Sequence, residues 1–299
     1  MSQRPQIRVE VVDMGGMLVD PHKHFVIQSL SKWCDVTVGA PGELMVYGPF
    51  GKKHLDFTGP KISVIGENLR PNFEIADYVI GGDRIKQPNY LRMPMWAWNQ
   101  PSRFLMKSTN DRMGTGERRF CTFVYSNPKG KPRNELFCAI NRRRFVEAPG
   151  AVFNNTAGDI SGRRVKGWRN SKIAYLQQFN FVITAENSRH RGYITEKITD
   201  AFRAGAIPVY WGDRSIIRDF NPESFVNANE FATTDAVAEF LIELSRDSAA
   251  MDQMRSVAPM TDAQWSRNAS PKRLAMFLYR AVTDLVPRLE GAPPPTSVD

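Results

Sequence analysis

Residues 179–211 constrain the fold more than any other stretch. Phe-Asn-Phe-Val-Ile-Thr (179–184) is an apolar, β-branched run that reads as a strand, and a polar loop follows over 186–192. Over 195–204, Ile198, Ala201 and Phe202 continue from Ile194 at helical spacing, with Thr195 as the expected N-cap and Gly205 as the expected terminator. Residues 206–211 then return to a strand pattern. A strand, a helix and a second strand in that order indicate an α/β fold.

The first half repeats the theme. Short apolar runs at 7–12, 36–38, 44–47, 62–65 and 78–80 lie between Gly, Pro and Asp, and Phe25, Ile27, Leu30 and Trp33 mark a helix after the first. Residues 99–119 contain Pro101, Gly114 and Gly116 with little apolar period, so the domain boundary is expected there. The pattern restarts with a strand at 120–125, a helix over 133–144, and further helices at 235–244 and 272–285. The expected organisation is an N-terminal domain over 1–115, a C-terminal domain over 116–290 and a disordered tail over 291–299. Two α/β halves in series imply a ligand cleft between them.

Composition narrows the class. The 299 residues are 42% hydrophobic and 24% charged, which fits a folded globular protein. The net charge of +9 attracts phosphates, nucleic acids or anionic lipid without choosing among them. Its densest clusters, Arg142 to Arg144 and the set Arg163, Arg164, Lys166, Arg169 and Lys172, read as solvated faces, with polyanion contact as the other reading. Cys34, Cys121 and Cys138 are odd in number and lack C-x-x-C spacing, so a reducing compartment fits best. There is no run of about 18–20 apolar residues for a membrane span.

The sequence lacks P-loop, dinucleotide-binding, nucleophile-elbow and H-E-x-x-H motifs, and it has no D-x-D. His22 and His24 have no partner cluster and read as surface residues rather than a metal site. The constructive signal is Gly-Tyr-Ile-Thr-Glu-Lys (192–197), where both signs of charge stand at a helix start. Unpaired first-turn amides and Lys197 suit a phosphate, while Glu196 suits sugar hydroxyls. A surface Glu-Lys pair is the alternative. In Ser-Asn-Pro-Lys-Gly-Lys-Pro-Arg-Asn (126–134), Lys129, Lys131 and Arg133 fall in a turn after a strand, where α/β sheets bind ligands, a solvated basic turn being the other reading. Glu67, in a Gly-Glu-Asn turn after a strand, reads alone as a turn acid and otherwise as a candidate general base, with Asp83 competing.

The segments SNPKGKPRN (126–134), AENSRHRGYITEKITDAFRAGAIPVYWGD (185–213) and FNPESFVN (220–227) resemble the donor-binding half of the α-1,3-fucosyltransferases, glycosyltransferase family 10. GENLRPNF (66–73), DYVIGGD (77–83) and YLRMP (90–94) resemble its bacterial members, in the same order. Ala185 stands where the family usually has Phe, and the heptad-repeat tail of some bacterial members has no counterpart.

The resemblance implies an α/β fold of GT-B type, with two Rossmann-like domains facing a central cleft. It implies Glu67 as general base, Arg133 and Lys197 as diphosphate contacts, Glu196 on the fucose, and Asn187 and Tyr193 beside the donor. The implied reaction is inverting transfer of L-fucose from GDP-fucose to a GlcNAc or Glc hydroxyl, α-1,3-linked, in bacterial surface polysaccharide synthesis.

No cofactor is expected to be required; a divalent cation could stimulate. The expected partners are GDP-fucose, a lipopolysaccharide or capsule precursor and an anionic membrane touched peripherally, without nucleic acid. The expected location is the cytoplasm, at the inner membrane. Two other readings compete: a transferase for another GDP-6-deoxyhexose, and a non-catalytic module for polyanions or membranes.

Overall fold

A computed structural model describes residues 4–15, 20–98, 103–109, 117–157, 160, 167–292 and 294–295. The chain divides into two compact units, Met1–Asn99 with Ser266–Asp299, and Gln100–Trp265.

The first unit is built on a six-stranded sheet of β1 (Gln6–Val12), β2 (Asp35–Val38), β3 (Leu44–Tyr47), β4 (Lys61–Ile65), β5 (Tyr78–Gly81) and β6 (Tyr90–Arg92), in the order β2-β1-β3-β4-β5-β6. Every pairing is parallel, with Val9 registered to Val38 on one side and Leu44 on the other. The inner strands β3 and β5 are buried at every residue, while the edge strand β2 is not. This is why the inner strands read as continuous apolar runs: a parallel sheet covered on both faces has no polar side. Helices α1 (Phe25–Leu30) and α2 (Met95–Trp98) belong to this unit.

In the second unit, β7 (Arg119–Thr122), β8 (Val146–Glu147), β9 (Phe179–Ile183), β10 (Ile207–Tyr210) and β11 (Val226–Asn227) form a parallel sheet ordered β11-β10-β9-β7-β8. Its helices are α3 (Lys131–Arg143), α4 (Trp168–Leu176), α5 (Lys197–Arg203), α6 (Thr234–Leu244), α7 (Ser248–Ser256) and α8 (Asp262–Asn268), the last running across the division between the units. The core gathers Phe120, Phe123, Phe137, Phe181, Val209 and Leu241, each side chain contributing on the order of 1.5–3 kcal/mol by leaving water.

The sequence reading put all of 116–290 in one domain. Instead α9 (Pro271–Leu285) returns to the first unit, because its apolar face has a partner there. Tyr279 meets Trp33 edge-on at 5.5 Å, Phe277 meets Tyr78 at 5.4 Å, and the Tyr78 hydroxyl donates to Asp284. Just beyond the helix, Arg288 clamps both oxygens of Glu43 at 2.7 and 2.6 Å. The expected boundary residues Pro101, Gly114 and Gly116, and tail residues 293 and 296–299, lie outside the described residues.

The basic clusters also resolve differently from one another. Arg142 and Arg143 pair with Asp235 and Glu239 of α6, on the surface as expected. Arg169 and Lys172 depart from that reading: half-buried Arg169 and buried Lys172 converge on buried Asp200 at 2.9 and 3.0 Å. Arg163, Arg164 and Lys166 lie outside the described residues. His22 is exposed, but His24 is buried, which corrects its reading as a surface residue. Among the described residues no helix is long and apolar enough to cross a membrane.

Candidate functional site

Three neighbouring strands of the second unit, β7, β9 and β10, send their carboxyl-terminal loops to one edge of the sheet, where ligands of parallel α/β sheets commonly bind. The loops are tied together. Tyr125, beyond β7, places its buried hydroxyl 2.9 Å from the carbonyls of both Ile183 and Ala185. The Glu186 amide donates to the Trp211 carbonyl at 2.8 Å, which joins the loops after β9 and β10.

Glu186 organises this edge. Its carboxylate, fully buried, accepts from the Thr195 amide at 2.8 Å, from the Thr195 hydroxyl at 2.9 Å and from the Lys197 ammonium at 2.8 Å. Lys197 also donates to Thr195 Oγ1 at 2.7 Å, so two of its three N–H groups have protein partners, and 17% of its side chain remains exposed.

The sequence reading missed this role of Glu186, placing the residue only in a polar loop. It also expected Thr195 to cap the helix. Glu186 takes that hydroxyl instead, so α5 begins at Lys197 with no side-chain cap. The far end is as expected: Gly205 has φ +66°, and the Ala206 amide returns to the Ala201 carbonyl.

Burial works to lower the pKa of the Lys197 ammonium, but the carboxylates of Glu186 and Glu196 outweigh it and hold it above the ordinary lysine value. Glu196 mirrors this. Burial pushes it up, while Lys197, Lys172 and Arg169 pull it below the usual glutamate range. Both groups therefore stay charged at neutral pH.

Arg133 does not lie in a turn. It occupies the first turn of α3, only 2% exposed, with its guanidinium 4.4 Å over the Tyr125 ring and a hydrogen bond to the Asn127 carbonyl. In this structure it braces loop 126–130 from beneath, close enough for its charge to oppose that of Lys197. Asn187 is half-buried and accepts from the Ser188 hydroxyl at 2.8 Å, and Tyr193 is buried. Asp213 steadies the entry to this segment, accepting from the Gly192 amide and from Ser215. Five of the expected residues, Arg133, Asn187, Tyr193, Glu196 and Lys197, thus belong to loops or helix starts that follow β7 and β9.

Glu67 follows β4 in the first unit. It is half-buried, and among the described residues its carboxylate makes no hydrogen bond or ion pair. Asp83, the competing base, is buried and held by Arg70, which leaves Glu67 as the carboxylate open to a ligand. Among the described residues no group of three or more His, Cys, Asp or Glu could hold a metal ion.

Two family models match the chain: the alpha-(1,3)-fucosyltransferase FucT N-terminal domain over residues 9–99, and the C-terminal model of glycosyltransferase family 10 (fucosyltransferase) over residues 116–256. The alpha-(1,3)-fucosyltransferase FucT of Helicobacter pylori is 31% identical over 275 residues, spanning 78% of this chain and 56% of that protein. The mouse 4-galactosyl-N-acetylglucosaminide 3-alpha-L-fucosyltransferase 9 is 29% identical over 157 residues, 50% of this chain and 40% of that one. A crystal structure of an alpha1,3-fucosyltransferase with GDP-fucose superposes with a TM-score of 0.76 at 25% identity, covering 94% of this chain and 92% of that one. The match thus spans 56% and 40% of the lengths of these two curated relatives.

Proposed function

Since this chain belongs to glycosyltransferase family 10, with the α/β fold of GT-B type, we propose that it transfers L-fucose from GDP-fucose to a hydroxyl of an acceptor glycan, with inversion at the anomeric carbon. The observation that carries the reading is the Glu186–Thr195–Lys197 cluster. It holds a charged ammonium, with one N–H to spare, at the carboxyl edge of the sheet, within the motif that the family resemblance identified.

In this reaction the acceptor oxygen attacks the anomeric carbon while the bond from that carbon to the β-phosphate oxygen breaks. Glu67 takes the acceptor proton as the oxygen attacks. Lys197, with Arg133 adding its field, stabilises the negative charge that develops on the departing GDP. Glu196, held ionised, accepts hydrogen bonds from fucose hydroxyls, and Asn187 and Tyr193 flank the donor. A divalent cation would act only by pairing with the free diphosphate and stimulating transfer.

The acceptor we propose is a GlcNAc or Glc unit, α-1,3-linked, of a bacterial lipopolysaccharide or capsule precursor, met in the cytoplasm at the inner membrane. The GlcNAc choice is supported by the mouse relative, whose name specifies a 4-galactosyl-N-acetylglucosaminide. Calorimetric titration with GDP-fucose, GDP-mannose and UDP-glucose, with and without a chelator, tests the donor. Selective, chelator-insensitive binding of GDP-fucose is expected, and equal binding of all three would overturn the assignment.

A further inference from the structure

One hydrogen-bonded pair in the first unit, Asp13 and His54, has no part in the reaction described above. Asp13 follows β1 with φ +56°, a left-handed conformation unusual outside glycine. The loop after β3 hangs on it. The Phe50 amide donates to the Asp13 carbonyl at 2.9 Å, and the His54 amide donates to Asp13 Oδ2 at 3.0 Å. His54 Nδ1 lies 2.7 Å from the same oxygen. Gly51 permits the approach, since a Cβ there would collide with Asp13 Oδ1. The imidazole is stacked flat on Tyr47, with ring centroids 4.2 Å apart and planes 6° from parallel. His54 is therefore fixed in position and in tilt.

The chemistry of the pair sets its polarity. Burial pushes the Asp13 carboxyl up, but the hydrogen bonds from His54 prevail and its pKa is lowered, so it is an ionised acceptor. Nδ1 must then carry the proton, and in the neutral ring Nε2 presents a lone pair. Among the described residues nothing bonds to Nε2, and 13% of the side chain is exposed. Asp13, His54 and Glu67 follow β1, β3 and β4, three adjacent parallel strands, so all three stand at one edge of this sheet. The same loops expose Phe50, Leu55 and Leu69, apolar surface of the kind that meets the C–H face of a sugar ring.

We propose that the Asp13–His54 pair is a hydroxyl-binding subsite for the acceptor sugar, His54 Nε2 accepting a hydrogen bond from a hydroxyl other than the one that reacts. The assignment rests on the transferase reading above. The pair does no proton transfer; it sets which acceptors dwell beside Glu67.

Two substitutions separate binding from loop bracing. His54→Asn keeps a donor where Nδ1 was and removes the outward nitrogen, whereas His54→Gln keeps a polar atom near Nε2 and weakens the brace. With GDP-fucose and N-acetyllactosamine, His54→Asn should raise the acceptor KM about three- to tenfold, the value of one hydrogen bond, with a much smaller change in kcat. His54→Gln should recover part of that loss. The reverse order, with Asn harmless and Gln damaging, would make the pair a brace only, and a collapse of kcat at constant KM would make His54 the base; either overturns the subsite.

A binding readout keeps this distinct from the transferase reading. The wild-type chain with its four histidines labelled with nitrogen-15 is titrated with N-acetyllactosamine in the presence of GDP. A shift of the His54 Nε2 resonance in that titration, with no transfer in the separate assay with GDP-fucose, supports the subsite and sinks the activity. Transfer without a shift sinks the subsite and leaves the activity standing, and neither shift nor transfer sinks both.

Discussion

The two units use the same parallel architecture but treat the carboxyl edge of their sheets in opposite ways. In the second unit the charges are spent on one another: Lys197 on Glu186, and Arg169 and Lys172 on Asp200. In the first unit Glu67 has no polar partner among the described residues, and His54 keeps one nitrogen unbonded. A diphosphate needs fixed positive charge that does not reorganise when it binds, and a buried ion pair with an extra hydrogen bond supplies that. A proton acceptor needs an open carboxylate and room for the group it deprotonates. On the proposed reading, one edge is set before the ligand arrives, and the other is completed by it.

The largest effect that tests this contrast is on chemistry without donor binding. Glu67→Gln should reduce transfer to N-acetyllactosamine by about 10²–10⁴-fold, the usual contribution of a general base, while GDP-fucose affinity stays within a few-fold. Initial rates and calorimetry on one preparation check both, and a parallel loss of donor affinity would end the contrast. Next comes Lys197→Ala. We expect transfer to fall by about 10²–10³-fold and GDP binding to weaken with it, because the same charge meets the ground state and the leaving group. An unchanged GDP titration would remove Lys197 from the diphosphate.

A smaller effect concerns stability. Burial lowers His24 to about 4 from the ordinary histidine value of 6.5, and among the described residues its Nδ1 has no hydrogen-bond partner. A base with a depressed native pKa takes up protons more readily when unfolded. The stability it confers is therefore present above pH 6.5 and lost as pH falls toward 4. The loss should reach roughly 2 kcal/mol by pH 5, at about 1.36 kcal/mol per pH unit. Urea unfolding at pH 7 and 5 should show this loss in wild type and a smaller one in His24→Gln; equal losses would clear His24. Smallest of all, Arg142→Ala removes an exposed pair with Asp235 and should cost less than about 1 kcal/mol in the same assay.

Much of this was legible in the sequence. Strands buried on both faces announce themselves as apolar runs, so β3, β4, β5, β9 and β10 were read within a residue or two, as was the partly exposed β1. The two-residue strands β8 and β11 and the short helices α4, α7 and α8 were not read, being too brief or too weakly periodic to stand out from loops. The family resemblance brought together Arg133, Asn187, Tyr193, Glu196 and Lys197. It did not reveal that Arg133 is turned beneath its loop, or that Glu186 holds Thr195 and Lys197. A carboxylate in a polar loop looks solvated until the sheet around it is known. The available signal was position: Glu186 comes three residues after the end of β9, where a buried charge is costly unless something binds it.

The return of α9 to the first unit has a consequence for biosynthesis. The strands of that sheet are all made by Arg92, but the helix whose Tyr279 and Phe277 cover Trp33 and Tyr78 begins only at Pro271. At about 5–20 residues per second, the ribosome needs on the order of 10–35 s to cover that interval. Residues 100–265 are synthesised in the meantime, so the unit whose sheet is made earlier is completed later, and its uncovered aromatic face is what a chaperone would have to shield.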